Sequence, residues 1–184
     1  MRLCASRGFD AVSVDAIARE AGLAKGTVYL YFPNKQAILD AALQRYSILS
    51  ETKELLEAYR GVHPREALPE IVRALWRGLR QRAELIGIFL REVPLSAENS
   101  ELFLTRIVFP ANLALADYFR SWMEAGVLRP LPPLMVSSTL LGSLLSFVLV
   151  DDVFGGAKRW PISDDEVTDT VAALLLEGAL APSA

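Results

Sequence analysis

One short run of side chains stands out for its chemistry. It opens with Lys25-Gly26-Thr27 and continues as Val-Tyr-Leu-Tyr-Phe until Pro33, which ends a helix because it lacks an N–H group. From residue 21 to residue 39 the chain has two lysines and no carboxylate. The free N–H groups and positive dipole end of a starting helix attract phosphate, and Gly26 lets a polyanion approach closely. These residue types indicate a surface for nucleic acid.

The run is the second of two short predicted helices. Ser13 is a good N-cap for a helix Val14–Ala21, which Gly22 ends, and a second helix follows over Lys25–Phe32. Two short helices joined through a glycine turn are the composition of a helix-turn-helix, whose second helix fits the major groove of DNA. In that groove Lys25 and Thr27 would reach base edges, and Leu30 a thymine methyl group. The same residues also suit a core helix with a solvated lysine, so the pattern alone leaves both readings open.

The remaining patterns are helical as well. Pro110 predicts a kink, and Ser163-x-x-Glu166 has the spacing of a capping box. No strand pattern competes, and the sequence predicts an all-α protein. The further predicted helices span Met1–Arg7, Lys35–Tyr59, Arg65–Arg82, Glu84–Val93, Glu98–Gly126, Leu134–Phe154 and Asp164–Leu180.

Composition excludes several classes of function. The 184 residues are 52% hydrophobic, with 19 basic and 22 acidic side chains, so a core can form and binding of nucleic acid by bulk charge is excluded. A single cysteine, Cys4, and a single histidine, His63, exclude a disulfide framework and a Cys/His zinc site. No glycine-rich phosphate loop or activated nucleophile is present. We therefore expect no metal, no cofactor and no enzymatic activity, and the absence of a signal-peptide pattern indicates a cytoplasmic protein.

An uncharged stretch, residues 130–150, raises the question of a membrane. Its three prolines lie at the start, and Ser138, Gly142 and Ser146 place a small residue on one helix face at every fourth position. Such a stripe permits close helix packing in membranes and in buried interfaces alike. With no other candidate span, we expect a buried or subunit-interface helix and no membrane association.

The N-terminal run closely resembles the TetR/AcrR family signature. The matching features are the Gly8-Phe9 start, the Ile-Ala-x-x-Ala-Gly turn from Ile17, and Thr-x-Tyr-x-Tyr-Phe-x-Asn-Lys from Thr27. Residues 1–43 follow the pattern without a gap, whereas the later helices resemble the family in architecture only. Val14 and Ala24 depart from it, since both replace hydroxyl residues that some members carry, and the first helix is truncated relative to the family.

The resemblance implies two domains and a set of DNA contacts. A helix-turn-helix DNA-binding domain would span residues 1–46, and an effector-binding and dimerisation domain residues 47–184, joined through the helix 35–59. That helix would act as a lever between effector and DNA. The implied DNA-binding residues are Ser13, Lys25, Gly26, Thr27, Tyr29, Leu30, Tyr31 and Lys35.

The resemblance further implies a homodimeric repressor of a palindromic double-stranded operator, released by a small apolar or amphipathic effector. A helical ligand-binding or scaffold protein that has lost DNA binding is the alternative. The effector residues expected between the middle helices are Trp76, Phe89, Phe103, Arg106, Phe109, Asn112 and Trp122. The expected dimer interface comprises Ser138, Leu141, Gly142, Leu145, Ser146, Leu174 and Leu175.

Overall fold

A computed structural model describes residues 11–92, 97–156 and 161–179. The regular elements in these ranges are helices, which confirms the all-α prediction. The predicted helix Met1–Arg7, together with Cys4, lies outside the described residues.

The chain forms two compact units. The first contains residues up to 47 together with 84–108, and the second contains residues 48–83 together with those from 109 onward. The predicted division into 1–46 and 47–184 stays a prediction about domains. The compact units differ from it by assigning residues 84–108 to the N-terminal part.

The first unit is built around two small apolar clusters. Its elements are α1 (Val14–Glu20), α2 (Lys25–Tyr31), α3 (Lys35–Tyr46), α6 (Ala83–Glu92), α7 (Ala97–Phe103) and a π-helical turn, π1 (Leu104–Val108). In one cluster Leu39 and Leu43 of α3 pack with Ile88 and Phe89 of α6. The other cluster holds α1 against α2. Burial of these side chains supplies the driving force for the unit.

The second unit is a helical bundle. Its elements are α4 (Leu49–Ala58), α5 (Pro64–Arg80), α8 (Phe109–Glu124), α9 (Pro133–Val148), a second π turn, π2 (Leu149–Val153), and α10 (Asp164–Ala179). Helix α9 packs against α8, α5 and α10, and α4 packs against α8. Arg80 of α5 donates to Asp152 at 2.7 and 2.9 Å and to Asp164 at 2.5 Å, which ties π2 and the start of α10 to α5.

The predicted single helix Lys35–Tyr59 is wrong. The chain leaves the helical conformation at Ser47 (φ −61°, ψ 140°) and starts again as α4 at Leu49. Serine and β-branched isoleucine, here Ser47 and Ile48, are weak helix formers, and neither is a glycine or proline that would have marked the break. A continuous lever across residues 35–59 is therefore excluded.

The kink predicted at Pro110 stays a prediction, but the helix is irregular just before this residue. Residues 97–124 are helical throughout, but π1 interrupts the α-helical pattern directly before Pro110. Pro110 has no N–H to donate to the carbonyl of Arg106, and its ring crowds that carbonyl, so a local π turn relieves the clash.

Ala97–Glu124 and Pro133–Val153 are both long and apolar enough to cross a bilayer, a property that core helices of soluble proteins share.

The capping box at the start of α10 is also confirmed. The N–H and hydroxyl of Ser163 donate to the Glu166 carboxylate at 2.9 and 2.8 Å, and the Glu166 N–H donates to the Ser163 hydroxyl at 3.2 Å. These hydrogen bonds to the charged form lower the pKa of Glu166 below its ordinary value.

The depressed pKa predicts a pH-dependent contribution to stability. Since the folded pKa lies below the unfolded one, the stabilisation is present above an ordinary glutamate pKa of about 4.3 and disappears as pH falls through the folded pKa. Urea unfolding between pH 3 and pH 7 should show wild type more stable than Glu166→Gln at neutral pH, with the difference shrinking toward pH 3. When Ser163 is also replaced by alanine, the stability difference between Glu and Gln at residue 166 should depend less on pH. An unchanged pH dependence would show that the capping-box hydrogen bonds are not its cause.

Candidate nucleic-acid interface

One buried valine sets the orientation of helix α2. Val28 is 6% exposed and packs against Val14 and Ala18 of α1. The Ser13 hydroxyl caps α1 by accepting from the Ala16 N–H at 3.2 Å. Gly22 ends α1 at φ +67°, a conformation that glycine adopts without strain. The geometry is that of a helix-turn-helix in which the other side of α2 faces outward.

The outward side of α2 carries large apolar and aromatic side chains. Leu30 is 84% exposed, Tyr31 76% and Tyr29 44%. Three such neighbours on one short helix form a patch of the kind that marks interaction surfaces. The two phenol hydroxyls add hydrogen-bonding groups to this patch.

The amino end of α2 is open. Ala24 offers no side-chain cap, in contrast to Ser13 at α1 and to Asn34 at α3, whose Oδ1 accepts from the Ala37 N–H at 2.8 Å. A Cβ added at Gly26 would meet no atom within 4 Å. Lys25 Nζ lies 3.5 Å from Asp15 Oδ1, with both side chains 54% exposed, so this ion pair is weak and exchangeable.

All eight residues predicted to contact DNA lie in the first unit, between Ser13 and Lys35, and none is buried. Thr27 and Lys35 are partly exposed and the other six are exposed. Sequence reasoning missed two neighbours of this surface. Leu23 in the turn is 49% exposed, and Asp15 pairs with Lys25. Val14 and Ala18, four residues apart, form the buried side of α1, and Asp15 lies off that side, a signal that was available in the sequence.

Two polar contacts hold α3, which follows directly from α2. Arg106 Nε donates to Asp40 Oδ1 at 2.7 Å, and Gln36 Nε2 donates to the buried Asn99 Oδ1 at 2.9 Å. Gln36 and Asp40 are four residues apart and so lie on one face of α3. The segment 97–108 thereby fixes the helix that begins at Lys35.

The seven predicted effector residues divide between the two units. In the first unit Phe89 and Phe103 contact each other with ring centroids 5.7 Å apart, and Arg106 pairs with Asp40. In the second, Trp76 is buried, Phe109 is 48% exposed, and Asn112 accepts from Ser138 at 3.0 Å. Trp122 lines a cavity of about 650 Å³ between α4 and α8. No single cavity described within either unit gathers the set, which stays a prediction.

The predicted dimer residues lie on the surface of the chain. Leu174 is 66% exposed, and Ser138, Gly142 and Ser146 are exposed along one side of α9. Leu141, Leu145 and Leu175 are partly exposed. A Cβ at Gly142 would meet nothing within 4 Å, so another backbone can approach here. Within the described ranges no three His, Cys, Asp or Glu side chains are grouped closely enough to hold a metal ion.

Comparison with known proteins finds a family match in the N-terminal segment. Residues 1–42 match the family model described as bacterial regulatory proteins, tetR family. This segment of the chain is therefore similar to the TetR family. It is 34% identical over 104 residues to the uncharacterized HTH-type transcriptional regulator YerO of Bacillus subtilis, a match that covers 55% of this chain and 36% of YerO. The chain thus spans about a third of the length of that relative.

Longer matches cover most of the chain at lower identity. The uncharacterized HTH-type transcriptional regulator YhgD of Bacillus subtilis is 26% identical over 175 residues, covering 91% of this chain and 84% of YhgD. Among solved structures, FadR of Bacillus subtilis in complex with stearoyl-CoA superimposes with a TM-score of 0.74 at 20% identity, covering 96% of this chain and 94% of FadR. The likeness to FadR shows that the two chains share a fold.

Two glycines of the helix-turn-helix predict opposite effects on stability. Gly22→Ala should lower the free energy of unfolding by about 1–2 kcal/mol, because alanine is strained at φ +67°. Gly26→Ala should raise it by about 0.4–1 kcal/mol, because the site is helical and open. Denaturant unfolding of both variants gives the two signs, and a loss of stability in Gly26→Ala would contradict the described geometry.

Proposed function

We propose that this chain is a TetR-family homodimeric repressor that binds a palindromic operator in double-stranded DNA and is released by a small apolar or amphipathic effector. The observation that carries the proposal is the outward patch of α2. Tyr29, Leu30 and Tyr31 face solvent while Val28 anchors the helix from behind. A helix presented in this way fits the major groove.

The proposed contacts divide by chemistry. Lys25 and Thr27, at the amino end of α2, would donate to base edges, and Leu30 would contact a thymine methyl group. Ser13, Tyr31 and Lys35 would bind phosphate oxygens, which position the protein without reading sequence. The open site at Gly26 supports a close approach of the duplex to the start of α2.

A dimer is proposed because one recognition helix reads only a few base pairs, and a twofold dimer reads two half-sites. The exposed apolar and small residues of α9 and α10 support this part of the proposal. Leu174 is 66% exposed, and Leu141, Leu145 and Leu175 are partly exposed, so these two helices present several apolar side chains that a second copy could cover. Four such helices from two copies would cover this surface.

Regulation is proposed as a population shift between DNA-competent and DNA-incompetent states, limited by the effector's preference for one of them. The break at Ser47 removes the helix 35–59 from the lever role. We propose the continuous helical segment 97–124 as the lever instead. Its first part contacts α3 through Asn99 and Arg106, and its second part belongs to the other unit. The match of residues 1–42 to the TetR family favours this regulator over the scaffold alternative. We also propose a cytoplasmic location, because the protein would have to reach DNA.

Substitutions in α2 test DNA binding. Lys25→Ala and Tyr29→Ala should each weaken binding to a palindrome from the region upstream of the chain's own gene by about 1–3 kcal/mol. Fluorescence anisotropy at several salt concentrations measures the affinity, which should fall steeply as salt rises. Arg65→Gln, which removes an exposed cation of α5, serves as the control and should bind DNA like wild type. A wild-type chain without salt-sensitive duplex affinity would support the scaffold alternative.

The dimer predicts a separate result. Leu174→Glu places a charge in the proposed interface twice per dimer. It should weaken the free energy of dimer association by at least the roughly 1.5–3 kcal/mol that each buried leucine contributes. Sedimentation at micromolar concentration should show a shift from dimer to monomer, together with weaker operator binding. Leu113→Glu, which replaces a 51% exposed leucine of α8, is the matched control. Equal sedimentation of wild type and Leu174→Glu would reject this interface.

A further inference from the structure

A cavity in the second unit has the composition of a ligand site. It measures about 650 Å³, within the range of about 300–1,000 Å³ typical of small-molecule pockets. Helices α4 and α8 form its walls, and the turn after α4 closes one end. The apolar part of the lining comprises Leu56, Gly61, Ala114, Trp122 and Ala125. This wall accommodates a hydrocarbon chain or ring.

One buried polar group of the wall is unsatisfied. Tyr118 lines the cavity and is 9% exposed, yet its hydroxyl has no hydrogen-bond partner of ordinary geometry. Burial raises the pKa of this phenol, and the nearby indole N–H of Trp122 opposes that rise without forming a regular hydrogen bond. The phenol therefore stays protonated at neutral pH and has a proton to donate. Buried hydroxyls normally have a partner, so an oxygen acceptor is the group this position lacks.

The charges of the lining leave one cation uncompensated. Glu57 pairs with Arg60 at 2.6 Å, and Asp117 pairs with Arg120, which lies outside the lining, so each carboxylate of the lining already has a cationic partner. Lys53 also lines the cavity and forms no ion pair with any residue that the structure describes. The local balance favours a ligand with a single negative charge.

We propose that this cavity binds an amphipathic carboxylate, with the hydrocarbon part against Leu56 and Trp122, the charge near Lys53 and an oxygen accepting from Tyr118. The inference rests on the proposed function, because it names the chemical class of the effector. It also moves the effector site relative to the sequence-based prediction, of which only Trp122 belongs to this cavity. The Tyr118 hydroxyl, the Lys53 ammonium group and the apolar wall together favour a ligand with an anionic headgroup over a neutral or cationic one.

The experiment compares three ligands of equal chain length on the full chain without DNA. Dodecanoate, dodecanol and dodecyltrimethylammonium are titrated below their micellar concentrations, by calorimetry and by thermal shift. Dodecanoate should bind with one site per chain and raise the melting temperature most. Equal binding of dodecanoate and dodecanol, tighter binding of the ammonium ligand, or no saturable binding overturns the proposal.

Two variants locate the site. Lys53→Gln should weaken dodecanoate about two- to fivefold and leave dodecanol unchanged, since only a charge interaction at an exposed residue is lost. Tyr118→Phe should weaken dodecanoate about three- to tenfold, because one hydrogen bond is lost. Its melting temperature without ligand should stay equal or rise, since an unsatisfied buried hydroxyl is removed. A damaged fold would lower that temperature instead, which separates structural loss from loss of a contact.

Matched controls use residues outside the cavity. Arg65→Gln removes an exposed cation of α5, and Tyr59→Phe removes a phenol hydroxyl next to α4. Both should bind dodecanoate like wild type, and weakening equal to that of Lys53→Gln and Tyr118→Phe would overturn the assigned site. Operator binding is measured separately. If the chain binds dodecanoate but not the operator, the proposed regulator is rejected and the cavity site is kept. If it binds the operator but not dodecanoate, only the cavity site is rejected.

Discussion

The contact of Val28 with Val14 and Ala18 is the constraint on which the first unit's surface depends. A seven-residue helix is too short to be stable alone, so α2 exists because one face is buried against α1. With Val28 turned inward, helical geometry places Tyr29, Leu30 and Tyr31 on the remaining circumference. The same packing that stabilises the helix therefore exposes the residues that we propose to contact DNA. Any change that rotates Val28 out of the cluster would rotate these residues with it.

A second constraint comes from the hydrogen bonds and ion pairs that polar groups form at helix ends and along α3. Ser13, Asn34 and Ser163 cap three helices with their own side chains, while the start of α2 is left without such a cap. Farther along, Asp40 and Gln36 of α3 bind groups that come from a distant part of the sequence. The local caps define where helices begin. The long-range pairs define how α3, and hence the chain that leaves α2, is oriented within its unit.

Much of this architecture could be predicted from the sequence, for physical reasons that differ between elements. The helix-turn-helix and the capping box were predictable because glycine, serine and proline at fixed spacing act locally. The break at Ser47 was not, because no strong helix breaker marks it and the apolar period runs across it. Aromatic residues such as Phe89 and Phe103 pack with each other in the first unit's core, and the sequence alone does not distinguish core packing from a ligand wall. The sequence alone could not reveal the unsatisfied hydroxyl of Tyr118, because such a group is visible only once its neighbours are known.

The discontinuity of the first unit has a consequence for engineering. Exchange of sensing modules between regulators joins one protein's DNA reader to another's sensor at a single crossover point. A crossover at Ser47 would leave Leu39 and Leu43 without Ile88 and Phe89, the native side chains that complete their cluster. A chimera of this chain must therefore transplant residues 84–108 together with the reader, or redesign the facing side of α3 to match the new host.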